Sequence, residues 1–245
     1  PSVTQSFGVS ALPSVTRAFQ TGDPQKLKHA VEMVLRITFL TALPMGVGLS
    51  VLAQPAALLI YGARPGTVIV GRVLTVLGAA SVFAALCGPL NSILQAVGHV
   101  ELPVMLTLIG LFVKAVLDYT LAAVPSVNVL GGAVGTLACY ALTSVLACIA
   151  IRRIAGVKID FFSTFKKPFL ASVCCGVSAL LTHKAWCAVL PESRFSALPA
   201  VFLGALIYLV FLLIARGICE EDIKALPNGE KITKRLEKYL QKAGG

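Results

Sequence analysis

The chain has 245 residues, of which 57% are hydrophobic and only 13% charged, with a mean hydropathy of +0.86. Soluble domains are about a quarter charged, whereas here the charges cluster between apolar blocks of roughly 20 residues, the length that crosses a hydrocarbon core of about 30 Å. This excludes a soluble globular domain, and because the +10 formal charge gathers at the ends of apolar blocks, it is a topology signal that removes the case for a nucleic-acid partner.

Seven apolar segments follow in order, at 1–17, 29–52, 67–96, 103–124, 128–151, 168–190 and 196–216. The first starts in mid-pattern at Pro1 with no charged leader, so the chain is expected to be the C-terminal part of a longer protein. "TGDP" reads as a helix start, with Asp23 capping free amides and Pro24 at the first helical position. The second segment carries Glu32 and Arg36 four residues apart, and Pro44 with Gly46 and Gly48 predicts a bend in it. Pro89 predicts another bend in the third, which presents Cys87, Asn91 and Gln95 at four-residue steps, a polar stripe on one helix face. In the fourth segment "VKAVLDYT" places Lys114 and Asp118 on one face, close enough to pair, and Thr107 continues that stripe. "GGAVG", opening the fifth, contains a small-xxx-small pair that lets helices approach closely. The connections "GHVELP", "VPSVN" and "VLPESRF" are short, so consecutive helices should run antiparallel.

The seven cysteines are odd in number, fall mostly in apolar blocks and form no Cys-x-x-Cys or Cys/His cluster, so they read as small buried hydrophobes. His29, His99 and His183 are isolated, and no Gly-rich phosphate loop or paired carboxylates accompany a nucleophile. No catalytic residue, metal site or cofactor is therefore assigned. Alternating the segments gathers sixteen of the 21 Lys and Arg on one side, which places that side and the C-terminus in the cytoplasm. The tail "GEKITKRLEKYLQK" has Ile232, Leu236, Tyr239 and Leu240 on one helical face and basic residues around the rest, either a helix lying on an anionic leaflet or a solvated tail helix.

A charge at the centre of a membrane helix costs about 2.5–3.5 kcal/mol on insertion scales. Lys114 and Asp118 are thus expected to face a bundle interior or a wet cavity. On one reading they line an aqueous path with Asn91, Gln95 and Arg36, and Lys114 is a cation offered to an anionic group. On the other the pair neutralises itself and joins helices.

Four stretches carry a family resemblance: "LPSVTRAFQTGDPQKLKHAVEMVLRITFLTALPMGVGLSVLAQPAALLIYG", "GPLNSILQAVGHVELPV", "VKAVLDYTLAAVPSVNVLGGAVGTLACYAL" and "GICEEDIKALPNGEKI". Together they resemble the C-terminal half of the stage V sporulation protein B group, polysaccharide-biosynthesis flippases of the MOP exporter superfamily, related to MurJ-type lipid II flippases and MATE drug exporters. The resemblance implies an all-α polytopic transmembrane bundle of about fourteen helices in two lobes around a central cavity. Residues 1–151 would run from the end of the eighth helix through the twelfth, in a MATE/MurJ-like second lobe. Residues 152–216 would form two additional C-terminal membrane helices, and 217–245 a cytoplasmic amphipathic tail. The implied partners are membrane lipids and a lipid-linked sugar diphosphate, favoured as the peptidoglycan precursor lipid II, turned across a bacterial plasma membrane by alternating access. Lys114 would meet the pyrophosphate as a point charge. Asp118 stands where the group frequently has an amide; it either partly cancels Lys114 or serves as a coupling group for H+ or Na+. The main substrate site is expected in the part upstream of this chain. The alternatives are a cation-coupled multidrug exporter of the same fold and a non-transporting scaffold for envelope assembly.

Overall fold

Hydrocarbon offers no partner to a backbone amide or carbonyl, so a spanning segment must satisfy them internally, and a long apolar block becomes a helix. The computed structural model describes residues 15–17, 19–21, 23–124, 129–156, 161–189 and 197–214, and no strand occurs among them. The helices are α1 (Pro24–Val51), α2 (Ala53–Tyr61), α3 (Thr67–Ala96), α4 (Glu101–Ala122), α5 (Val129–Ala155), α6 (Phe161–Val189) and α7 (Ala197–Ile214). Among the described residues, four helices (α1, α3, α4 and α5) are long and apolar enough to cross a membrane. The expected amphipathic tail lies outside the described residues, as does nearly all of the first apolar segment.

Helix α1 begins where "TGDP" predicts: Asp23 is the N-cap, and its Oδ1 accepts from the backbone N–H of Gln25 at 3.0 Å and of Lys26 at 3.4 Å. The apolar segment at 29–52 is thus only part of a longer helix. No break follows at Pro44, nor at Pro89 in α3; both helices run through their prolines. The interruption comes at Leu52 (φ −95°, ψ 15°), after which α2 starts with Pro55 in its first turn, where an absent N–H removes no helical hydrogen bond. Gly46 also sets how closely two helices approach. A Cβ there would lie 2.9 Å from the carbonyl oxygen of Gly78, and one on Gly78 would lie 2.7 Å from the amide nitrogen of Ser50, so α1 and α3 cross backbone to backbone. The turn from α3 to α4 passes through Gly98 at φ +92°, a conformation that a side chain disfavours.

The helices pack in a row that departs from their order in the chain. Helix α4 lies on α5, α5 on α3, α3 on α1, α1 on α6 and α6 on α7, with α2 against α3. The main core joins the first half of α1 (Leu27, Val31, Leu35) to the last turns of α3 (Leu90, Ile93, Leu94) and α5 (Ala147, Ile151). The start of α1 and the ends of α3 and α5 therefore share one end of the bundle, the antiparallel alternation that short connections require.

Candidate functional site

Helix α4 touches the bundle along a narrow stripe. Pro103 and Gly110 are buried on it, and Val113, Lys114, Leu117, Asp118 and Leu121 continue it half-buried, while Phe112, Val116 and Tyr119 are exposed on the other faces. At 1.5 Å per residue, Lys114 lies about 4 Å from the midpoint of α4. The stripe faces α5, so the charge meets a helix rather than the helix's exposed flank.

Three acceptors surround the ammonium. Lys114 Nζ donates to Asp118 Oδ2 at 2.8 Å, to Thr136 Oγ1 at 3.0 Å and to the carbonyl oxygen of Gly132 at 3.5 Å. Thr136 in turn donates to the Gly132 carbonyl at 2.7 Å. The side chains of Lys114 and Asp118 keep 30% and 36% of their exposure, so the pair sits at the open edge of the α4–α5 seam. Asp118 Oδ1 is closed off without a hydrogen-bond partner, and a Cβ on Gly135 would collide with it. The expected small-xxx-small contact has its physical content here. Gly131 lies under Leu121 and Gly135 under Asp118, and Gly110 of α4 faces Thr143 and Cys139 in return.

The other candidates are distributed differently. Cys87 of α3 also faces α5, where its Sγ lies 3.4 Å from Ser144 Oγ, and Ser144 donates to the Phe83 carbonyl of α3 at 3.1 Å. Helix α5 thus stands between the two polar stripes and binds both, through Gly132 and Thr136 on one side and Tyr140 and Ser144 on the other. Those four positions follow one another at four-residue steps along α5, but two of them act through backbone carbonyls, so the sequence does not mark them as the partners of Lys114 and Cys87. Asn91 is half-buried with its Oδ1 closed off and unpartnered, Gln95 is exposed, and Thr107 turns its hydroxyl back to the Pro103 carbonyl at 2.7 Å. Arg36 is half-buried about 18 Å along α1 from its start, and Glu32, one turn earlier, lies 3.6 Å from Lys28. No group of three or more His, Cys, Asp and Glu residues able to hold a metal occurs among the described residues.

On the far side of α1 from this seam, α1, α2, α6 and α7 enclose a cleft of about 690 Å³. Its α1 wall runs from Leu40 to Leu49, about 14 Å of helix, and its other walls include Leu52, Ala56, Cys175, Ala179, Gly204 and Tyr208. Except for the hydroxyls of Thr41 and Tyr208 and the thiol of Cys175, the lining side chains are apolar or absent.

A bundle of membrane-length helices with an ion pair at mid-span and an apolar cleft defines a multi-pass membrane protein. The lipid II flippase MurJ family profile matches residues 3–210, so the chain belongs to that family. It is 24% identical over 92% of its length to stage V sporulation protein B of Bacillus subtilis (strain 168), covering 42% of that protein. It is 22% identical over 98% of its length to the uncharacterized membrane protein YabM of the same organism, covering 44% of it. To the lipid II flippase MurJ of that organism it is 24% identical over 63% of its length, covering 28% of it. The chain thus spans less than half the length of the curated relatives it matches.

Proposed function

We propose that this chain is part of a flippase that turns a lipid-linked sugar diphosphate, with lipid II as the favoured substrate, across a bacterial plasma membrane by alternating access. The observation that carries the reading is the position of Lys114, a cation near the middle of a membrane-spanning helix that is held in place yet remains about a third exposed. A diphosphate headgroup crossing hydrocarbon needs a fixed positive charge, and an ammonium with rotatable donors can exchange one oxygen acceptor for another. In this mechanism the headgroup takes Lys114 from Asp118, and the released carboxylate binds H+ or Na+, which keeps the site near neutrality through the transfer. Asn91, Gln95 and Arg36 are assigned to the polar path, and the apolar cleft suits the lipid tail. A transporter of this kind performs no bond chemistry. The division into a lobe (residues 1–151), an added helix pair (152–216) and a cytoplasmic tail (217–245) belongs to the same proposal.

The test is a leaflet-accessibility assay for lipid II with the full-length protein in vesicles. Lys114→Ala is expected to lower the transfer rate at least tenfold and Lys114→Arg to retain part of it. Asp118→Asn is expected to weaken dependence on the coupling ion. Normal transfer by a folded Lys114→Ala protein would remove the cation role and leave the pair as a helix-to-helix tie, as a scaffold would use it.

A further inference from the structure

Helix α1 carries Pro44 about 10 Å beyond its midpoint and still runs unbroken from Pro24 to Val51. Proline has no N–H, so the carbonyl four residues earlier, that of Leu40, loses its helical donor. In a membrane interior no water replaces it, and an unsatisfied carbonyl there is expensive. The structure supplies the missing donor from another helix: the hydroxyl of Tyr208, in α7, donates to the Leu40 carbonyl oxygen at 2.5 Å. Tyr208 is 8% exposed and lies about 4 Å from the midpoint of α7, so its hydroxyl too needs a partner.

The bond also has a defined place in the cleft. Along α1 the lining residues run from Leu40 to Leu49, and along α7 they run from Val201 to Tyr208 in the opposite sense. Leu40 and Tyr208 are therefore the last lining residues on their helices, at the same end. There Ala171, Cys175 and Tyr208 pack with Leu40 in a small cluster, and Leu52, Ala179 and Val51 form another toward the other end. Helix α7 makes its extensive contact with α6 and only a slight one with α1, so this hydrogen bond is a main tie between α7 and α1.

We infer that Tyr208 is a latch: it holds α7 against α1 by giving Leu40 the hydrogen bond that Pro44 withholds, and its release widens the cleft. Two features make the tie reversible. The donor is a single neutral hydroxyl on a two-torsion side chain, and the acceptor belongs to a helix that Pro44 has already weakened at that turn. The inference concerns the movement of α7 and does not depend on what is transported.

Cys175 reports on the latch, because it lines the cleft beside Tyr208 and its thiol donates to the Gly204 carbonyl of α7 at 3.1 Å. The rate at which Cys175 reacts with N-ethylmaleimide is read by mass spectrometry in the full-length protein in membranes, with Cys174→Ala to isolate the signal. Tyr208→Phe is expected to raise that rate at least threefold. In a Pro44→Ala background, residue 44 regains an N–H for Leu40, so adding Tyr208→Phe is expected to change the rate less than 1.5-fold. An unchanged rate in Tyr208→Phe, or an equal increase in both backgrounds, overturns the latch. If Tyr208→Phe alone fails to assemble, Pro44→Ala/Tyr208→Phe is expected to restore assembly, and failure of both variants overturns it as well.

Discussion

Four-residue spacing fixes how Lys114 and Asp118 stand to each other in one helix, and their 2.8 Å contact is a local consequence of α4 being helical. Their partners on α5 are fixed differently. Spacing along α4 says nothing about which residue of another helix lies opposite, and that register is set by where small residues let the backbones meet. Gly131 and Gly135 both lie on α5, yet Gly132 between them has open space around the position of its Cβ. This contrast gives two opposite expectations for one chemical change. Gly135→Ala places a methyl against Asp118 Oδ1 and the Lys114 carbonyl, and overpacking of this kind costs about 1–3 kcal/mol. Gly132→Ala, in the first turn of α5, meets nothing within 4 Å and lowers the conformational entropy of the unfolded chain, which stabilises by about 0.4–1 kcal/mol. Thermal unfolding of the purified protein in detergent should show Gly135→Ala below wild type and Gly132→Ala at or above it.

Among the elements, α1 shows most clearly what local sequence does and does not decide. Its start was readable because capping is local chemistry: Asp23 lies two and three residues from the amides it satisfies. The outcome at Pro44 was not readable, because the helix runs through its proline with a donor brought by α7, 168 residues away in the chain. The start also carries a pH dependence. The Gln25 and Lys26 amides, helped by the Lys26 ammonium, hold the Asp23 carboxyl below its ordinary value of 3.8. A carboxylate with a depressed folded-state pKa contributes stability that is present above the unfolded value and lost as pH falls through the folded one. The Tm difference between wild type and Asp23→Ala should therefore be constant near neutrality and close below pH 3.8. Asp23→Asn keeps an acceptor that does not titrate in this range, so its advantage over Asp23→Ala should persist in acid.

For the whole molecule, six of the seven hydrophobic blocks locate described helices, α2 has no block of its own, the first block lies almost wholly outside the described residues, and the blocks do not give the order of the helices in space. Sequence neighbours α3 and α4 barely touch, because α5 inserts between them; the polar stripes on α3 and α4 both face it at Cys87 and Lys114. What the sequence does constrain globally is direction. The shared core brings the start of α1 to the ends of α3 and α5, and so gathers Lys26, Lys28, Arg152 and Arg153 at one end of the bundle. Arg64 and Arg72 lie at the other, around the start of α3. Lys and Arg near helix ends resist translocation, so the richer end should face the cytoplasm. Four exposed positions sample the two ends in alternation: Gln25, Ala63, Val100 and Val124. With the seven native cysteines replaced, a single cysteine at each is offered a membrane-impermeant maleimide on intact cells. Ala63→Cys and Val124→Cys should label at once, and Gln25→Cys and Val100→Cys only after the membrane is permeabilised. The reverse pattern would invert the bundle, and labelling that failed to alternate would mean that α1, α3 and α4 do not each cross the bilayer.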